Sequence, residues 1–343
     1  MVKKNLLQEL INRSGPSGFE KPIRDFILQA IKPYVDEVYV DKFGNLLAHK
    51  KGTSPTIMLA AHMDEVGLLI HNITPEGHLL ITSVGSIEPI TLVGERVVIK
   101  TKKASIHGVI TTKEIHEGDE ITTLPIYKDL YIDAGIKRKE LQRMGVEVGT
   151  YVHLASTMSF LGNQDIISGK ALDDRLGCFI LIEVAKRMSK LPSCSIYYVF
   201  TVQEEIGLYG SKTSIYSIDP DWALVVDITN TDDSDFAKVT KQIGMGPCIT
   251  IKDADMIGNR CINDIFKAVA KKHKIPIQLE ITDYGSTDAL SISVAKGGIP
   301  TGMLGVPIRN IHTTHGIASI TDINNSIKLI LELLKKPPHT CLV

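Results

Sequence analysis

Four apolar runs in this chain end on, or run on to, acids and histidines. Residues 56–62 read TIMLAAH, 197–205 YYVFTVQEE and 222–228 WALVVDI, while PTGMLGV at 300–306 runs on to His312. Runs apolar at every position, rather than at alternate ones, cannot form a sheet that is wet on one face. They need cover on both sides, which is the condition of a parallel or mixed sheet flanked by helices. The adjacent acids Glu204 and Glu205 sharpen the constraint. Two neighbouring carboxylates at the end of a buried strand repel each other and resist desolvation, so something in the fold must make them worthwhile.

Segments between and after these runs have the helical period. The pattern predicts helices over residues 5–12, 23–31, 172–188, 262–273, 289–295 and 327–336. It predicts a hairpin through VYVDKFGNLLAHK and a further strand in IQLEITD. Alternating strands and helices make an α/β domain with a mixed sheet. The character changes after about Val66. From there to about Leu161 the chain is short strands and turns, GLLIHNI, HLLITSV, RVVIKTK, SIHGVITT and TYVHLAS, with one helical stretch, GIKRKELQRMG. The expected organisation is a discontinuous α/β domain, 1–66 and 162–343, carrying a small β-barrel-like insertion, 67–161.

The charge balance removes some classes of function. With 38 Lys and Arg against 39 Asp and Glu, the net charge of −1 does not suit a nucleic-acid binder held by phosphate neutralisation. No window approaches the ~18 apolar residues of a membrane span, and the opening MVKKNLLQELINRSG reads as an amphipathic helix rather than a signal peptide. Five cysteines, none in a C-x-x-C pair, argue against a disulfide framework or a thiolate zinc site and for a reducing cytoplasm.

Ligand-type residues recur at strand ends: His62, Asp64 and Glu65; Glu204 and Glu205; Asp227; His312. Asp173 and Asp174 open the long helix in GKALDDRLG. In open α/β sheets, sites form at the carboxyl ends of the strands, so five separated segments can deliver these groups to one region. Carboxylates and two histidines without thiolates suit a pair of divalent ions such as zinc, cobalt or manganese. Two ions about 3.5–4 Å apart need one bridging carboxylate and terminal ligands on each side, with a carboxylate left over as general base.

In order and spacing, AAHMDEVG, SGKALDDRLG, VQEEIGLYG, VVDIT, YGSTDAL and VPIRNIHT resemble the motifs of the M42 family of dinuclear metallo-aminopeptidases, and SGPSGFEKPIR near the N-terminus fits the same family. The resemblance implies a phosphorylase/hydrolase-like α/β domain whose inserted barrel-like domain drives assembly into dodecamers built from dimers. It implies that His62, Asp173, Glu205, Asp227 and His312 bind two metal ions, with Asp173 the bridge in a strained Asp–Asp peptide. It implies Asp64 as the residue orienting His62, and Glu204 as the general base. The expected reaction is hydrolysis of the N-terminal peptide bond of substrates with a free α-amine, with a metal-bridging water as nucleophile. Arg175 and Arg309 are expected to pair with nearby carboxylates, and Cys178 to lie in the helix core. His71, His107 and His116 are expected to be ordinary surface or loop residues.

Two positions depart from the family pattern. Asn310 stands where an aromatic is usual, and Ser286 replaces a glycine in GSTDA. His315, three residues past His312, is a rival ligand, although the motif position favours His312. Other readings stay open: a related dinuclear deacylase or carboxypeptidase, a metal-free glycosidase with two carboxylates flanking a sugar bond, and a non-catalytic assembly protein. The first of these usually carries its insertion after the acidic pair; here it follows HMDEVG.

Overall fold

A computed structural model describes residues 4–112, 123–189, 194–233 and 239–341. An eleven-stranded mixed sheet forms the larger body, and a closed six-stranded barrel lies beside it. At the middle of the large sheet, strands Cys194–Thr201, Thr53–His62, Trp222–Asn230 and Thr301–Arg309 are neighbours in that order, and each adjacent pair is parallel. Their carboxyl ends therefore share one edge, which is the edge that places the site. The hairpin strands Glu37–Val40 and Leu46–Lys50 continue the sheet on one flank.

Continuous burial accompanies continuous apolarity. In Trp222–Asn230 every residue but Asn230 is buried, and helix Leu172–Met188 packs across the sheet, contributing Leu176, Phe179 and Ile180 to the main core. Cys178 lies in that core, as expected. The barrel shows the other pattern. Strand Ser105–Thr111 alternates, with Ile106, Gly108 and Ile110 buried between exposed neighbours. Its core of Leu68, Val97, Ile99, Ile110 and Ile132 is separate from that of the sheet. The barrel strands run from Gly67 to Leu154, whereas Ser159–Phe160 already pairs within the large sheet.

Three features differ from the sequence reading. The last helix begins at Ile320, two turns earlier than its apolar period suggests, because the Ser319 hydroxyl accepts from the Thr321 and Asp322 amides and caps it. Strands Ile166–Gly169, Cys248–Lys252 and Gly316–Ser319 belong to the sheet although they are too short to announce themselves by pattern. Finally, Cys261 and Cys341 form a disulfide, with Cα atoms 5.4 Å apart, where none was expected. The chain beyond the last helix returns to helix Arg260–His273, and a pairing across 80 residues leaves no spacing signal. Cys178, Cys194 and Cys248 are free and buried. Among the described residues, no helix is long and apolar enough to cross a membrane.

Candidate active site

The four parallel strands converge as their order requires. His62 ends Thr53–His62, Glu204 and Glu205 follow Cys194–Thr201, Asp227 lies within Trp222–Asn230, and His312 follows Thr301–Arg309. Asp173 and Asp174 enter from the start of the long helix, whose backbone departs from helical geometry at both residues; the peptide joining them is cis. Gly177 makes this turn possible, since a Cβ there would collide with both Asp174 oxygens and the Val226 carbonyl.

Asp173 lies between the two imidazoles. Its Oδ1 is 2.9 Å from His62 Nε2 and its Oδ2 is 3.2 Å from His312 Nε2. On the first side, Asp227 Oδ1 is 3.8 Å and Glu204 Oε2 4.0 Å from His62 Nε2. On the second, Glu205 Oε2 is 3.3 Å from His312 Nε2. Donor atoms of His62, Asp173 and Glu205 lie within 4.8 Å of one another, as do those of His62, Asp174 and Asp227. Asp174 was absent from the expected ligand set; only its buried oxygen beside Asp227 brings it forward.

Asp64 sits behind this cluster, fully buried. Its carboxylate accepts from the Glu204 amide at 3.1 Å, the Glu205 amide at 3.2 Å and the Ser17 hydroxyl at 2.6 Å. Its Oδ1 is also 3.6 Å from His62 Nδ1. One side chain thus holds the turn carrying both glutamates, while the backbone carbonyl of the same residue, 3.2 Å from His62 Nδ1, holds the imidazole. Ser17 was not foreseen individually, although its motif, SGPSG, was. Asp288 was likewise missed: it accepts from the Thr201 and Ser211 hydroxyls, each at 2.5 Å, beneath the acidic pair.

Burial and crowding set the proton affinities. Burial raises Glu204 well above the usual carboxylate range, and Asp227, Asp288 and Glu205 add to this against the pull of His62. Burial, reinforced by Asp173, pushes Asp227 up to about 7. Asp173 goes the other way: burial opposes ionisation, but His312 and His62 hold it below the normal range. Burial would lower His312, yet Asp173 and Glu205 hold it at about 10. So many carboxyls in a desolvated space resist ionising together, the condition that divalent cations relieve.

The residues fit such ions on a further count. Glu205 Oε1 and Asp174 Oδ2 are buried without a hydrogen-bond partner. Buried polar atoms are rarely left unpaired, and an oxygen-and-nitrogen donor set without thiolate suits hard or borderline divalent metals.

The two departures find different accounts. Asn310 adopts φ = 56°, a left-handed conformation that Asn tolerates better than an aromatic, and its Nδ2 donates to the His315 carbonyl at 3.4 Å. The Ser286 hydroxyl is buried without a partner, and nothing in the structure explains it. His315 turns away from the cluster, 3.5 Å from Glu95 of the barrel. Arg175 and Arg309 do pair with acids, Glu65 and Asp233 respectively. His71 and His107 are exposed; His116 lies outside the described residues.

Residues 44–329 match the family described as M42 glutamyl aminopeptidase. A lysyl aminopeptidase of Pyrococcus furiosus is 32% identical over 98% of each chain. A TET aminopeptidase of a marine-sediment Thaumarchaeota archaeon superposes with a TM-score of 0.93 at 35% identity, covering 97% of this chain and 96% of that one. The Pyrococcus horikoshii TET1 peptidase, described as assembling into a tetrahedron or a large octahedral shell, gives 0.87 at 31% identity, covering 96% of this chain and 98% of that one. With a barrel beside a mixed α/β sheet, and with these matches along nearly its whole length, the chain belongs to the M42 family of aminopeptidases, which are peptide hydrolases.

Proposed function

We propose that this protein is a dinuclear metal-dependent aminopeptidase that removes residues from free peptide N-termini, with Glu204 as general base. The observation that carries this reading is the Asp173 carboxylate shared between two imidazoles, 2.9 Å from His62 and 3.2 Å from His312, beside Glu204. His62 and Asp227, with Asp173 as bridge, would hold one ion; His312 and Glu205, with the same bridge, would hold the other. Asp64 orients His62 from behind. When bound, the ions supply Lewis acidity and make water a nucleophile near neutral pH. Glu204 takes the proton of the attacking water and returns it to the leaving amine, a task matched to a carboxylate whose proton affinity burial has raised. The acidic lining favours a free α-ammonium over an acylated terminus.

Zinc or cobalt suits the donor set best, and manganese also fits. A homo-oligomer, a dodecamer built from dimers, belongs to the same reading. It draws support from the assembly of the Pyrococcus horikoshii relative and from apolar side chains left exposed on the 67–161 segment, such as Leu124 and Val148. A cytoplasmic location belongs to the same reading, but the Cys261–Cys341 disulfide removes the cysteine argument for it.

The test is a panel of aminoacyl-p-nitroanilides (Glu, Asp, Lys and Leu) and their N-acetyl forms, assayed after chelation and after adding back zinc, cobalt or manganese. Cleavage confined to free amines, lost on chelation and restored by metal, is expected. Cleavage of the acetylated forms would favour the deacylase reading. Chelator-resistant hydrolysis of a β-glucan would favour the glycosidase reading.

A further inference from the structure

Two segments far apart in sequence must meet for His62 and Asp173 to stand 2.9 Å apart. They are residues 62–65 at a strand end and residues 170–175 at a helix start. A buried charge cluster joins them directly. Glu65 Oε2 accepts from Lys170 Nζ at 2.6 Å, and Glu65 Oε1 accepts from Arg175 Nη2 at 3.4 Å and from the Gly15 amide at 2.7 Å. The three side chains are nearly sealed from solvent, at 4%, 2% and 0% exposure. Arg175 also donates from Nε to the Met63 carbonyl at 2.9 Å, and from Nη1 to the Leu10 and Arg13 carbonyls at 2.6 and 2.7 Å.

We propose that Glu65, gripping Lys170 and Arg175 on either side of Asp173, is the positioning residue that holds the His62 strand end and the Asp173 turn at metal-binding separation. Stability alone is a poor reason for such a cluster. Buried ion pairs are often replaceable by apolar side chains of similar volume at no cost in folding free energy. An apolar contact, however, has no preferred direction. A carboxylate with three fixed donors sets both spacing and orientation, and a metal site needs its ligands held within about half an ångström. The cations bracket the turn, with Lys170 three residues before Asp173 and Arg175 two residues after it. Lys170 carries no signal in the sequence, because its partner Glu65 lies 105 residues away.

This rests on the reading that His62 and Asp173 share an ion, and the experiment separates the two. Full-length wild type, Lys170→Arg, the charge-neutral pair Glu65→Gln/Lys170→Met, and Glu65→Asp are titrated with cobalt(II). Stoichiometry, affinity, the visible absorption spectrum and Tm are recorded for each. Wild type that binds no cobalt would remove the metal reading itself. Given binding to wild type, the neutral pair and Glu65→Asp should fold, bind cobalt about 10–100-fold more weakly and show a changed spectrum, the usual effect of losing groups that orient ligands. Lys170→Arg, which keeps the cation, should retain most of the affinity. Wild-type affinity and spectrum in the folded neutral pair would overturn the proposal. So would failure of every variant to fold, since the cluster would then be a folding element and not a positioning one.

Discussion

The parallel centre of the large sheet and the closed barrel are built from the same apolar residue types, yet the candidate site lies at only one of them. In the sheet, four neighbouring strands run the same way and stop at one edge, so residues after each strand converge. In the barrel every pairing is antiparallel, so successive strand ends alternate between the two rims. Burial follows the same division, continuous in Trp222–Asn230 and alternating in Ser105–Thr111. Parallel pairing gathers chemistry at one end, whereas a closed antiparallel barrel hides its edges and presents outward side chains to whatever lies beside it.

That contrast can be broken most decisively at the edge of the sheet. Glu204→Gln keeps the side-chain shape and removes the base. We expect kcat to fall by about 10²–10⁴-fold while the metal content of the purified enzyme is unchanged; retained turnover would remove the base assignment. Cavity variants sharpen the comparison next. Leu59→Ala in the central sheet and Ile110→Ala in the barrel, both at 0% exposure, should each cost about 2–5 kcal/mol in denaturant unfolding. Only Leu59→Ala should also lower activity per folded subunit, because its strand ends at His62. Equal losses of specific activity would mean that the barrel supports the site as closely as the sheet does.

A smaller effect belongs to the joint between the two regions. His153 lies on the last barrel strand against Ser14 of the N-terminal loop, and burial lowers its pKa to about 4. The folded protein holds it neutral while the unfolded chain, near 6.5, protonates first. Its contribution is therefore present above about pH 6.5 and lost as pH falls towards 4, up to about 3 kcal/mol. His153→Gln should flatten the stability profile over that interval, and an unchanged slope would refute the assignment. The smallest effect is expected at His315. Exposed and turned towards Glu95, it should change kcat and stability little on replacement by Ala, within about 0.5 kcal/mol. His312→Ala should weaken metal binding; a reversal of the two results would exchange their roles.

Much of this was legible in the sequence, for physical reasons. Uniform apolarity around residues 56–62, 197–202 and 222–228 is a local property, and local patterning is enough to separate covered parallel strands from the alternating strands of the insertion. Acids and histidines placed directly after such runs are visible in one dimension, because the chain direction that makes a strand end is also the order in which residues are read. The spacing of DDRLG could be read in the same way, and the clash at Gly177 supplies the reason for its glycine.

Contacts between segments were not legible. That Asp174 lies beside Asp227, that Ser17 reaches Asp64, that Glu65 grips both Lys170 and Arg175, and that Cys341 finds Cys261 all depend on how separate elements dock. That His312 stands 3.2 Å from Asp173 while His315 stands 3.5 Å from Glu95 likewise depends on how the loop docks, although the motif position already favoured His312. The sequence by itself determined which of the long central strands would be buried, where their ends would lie and which residue types those ends carry, because these follow from the order and periodicity of side chains along one chain. Tertiary structure alone decided which of those groups face one another and what holds them there. Distances of 3 Å between residues a hundred positions apart are set by packing and long-range hydrogen bonds, which leave no periodic trace.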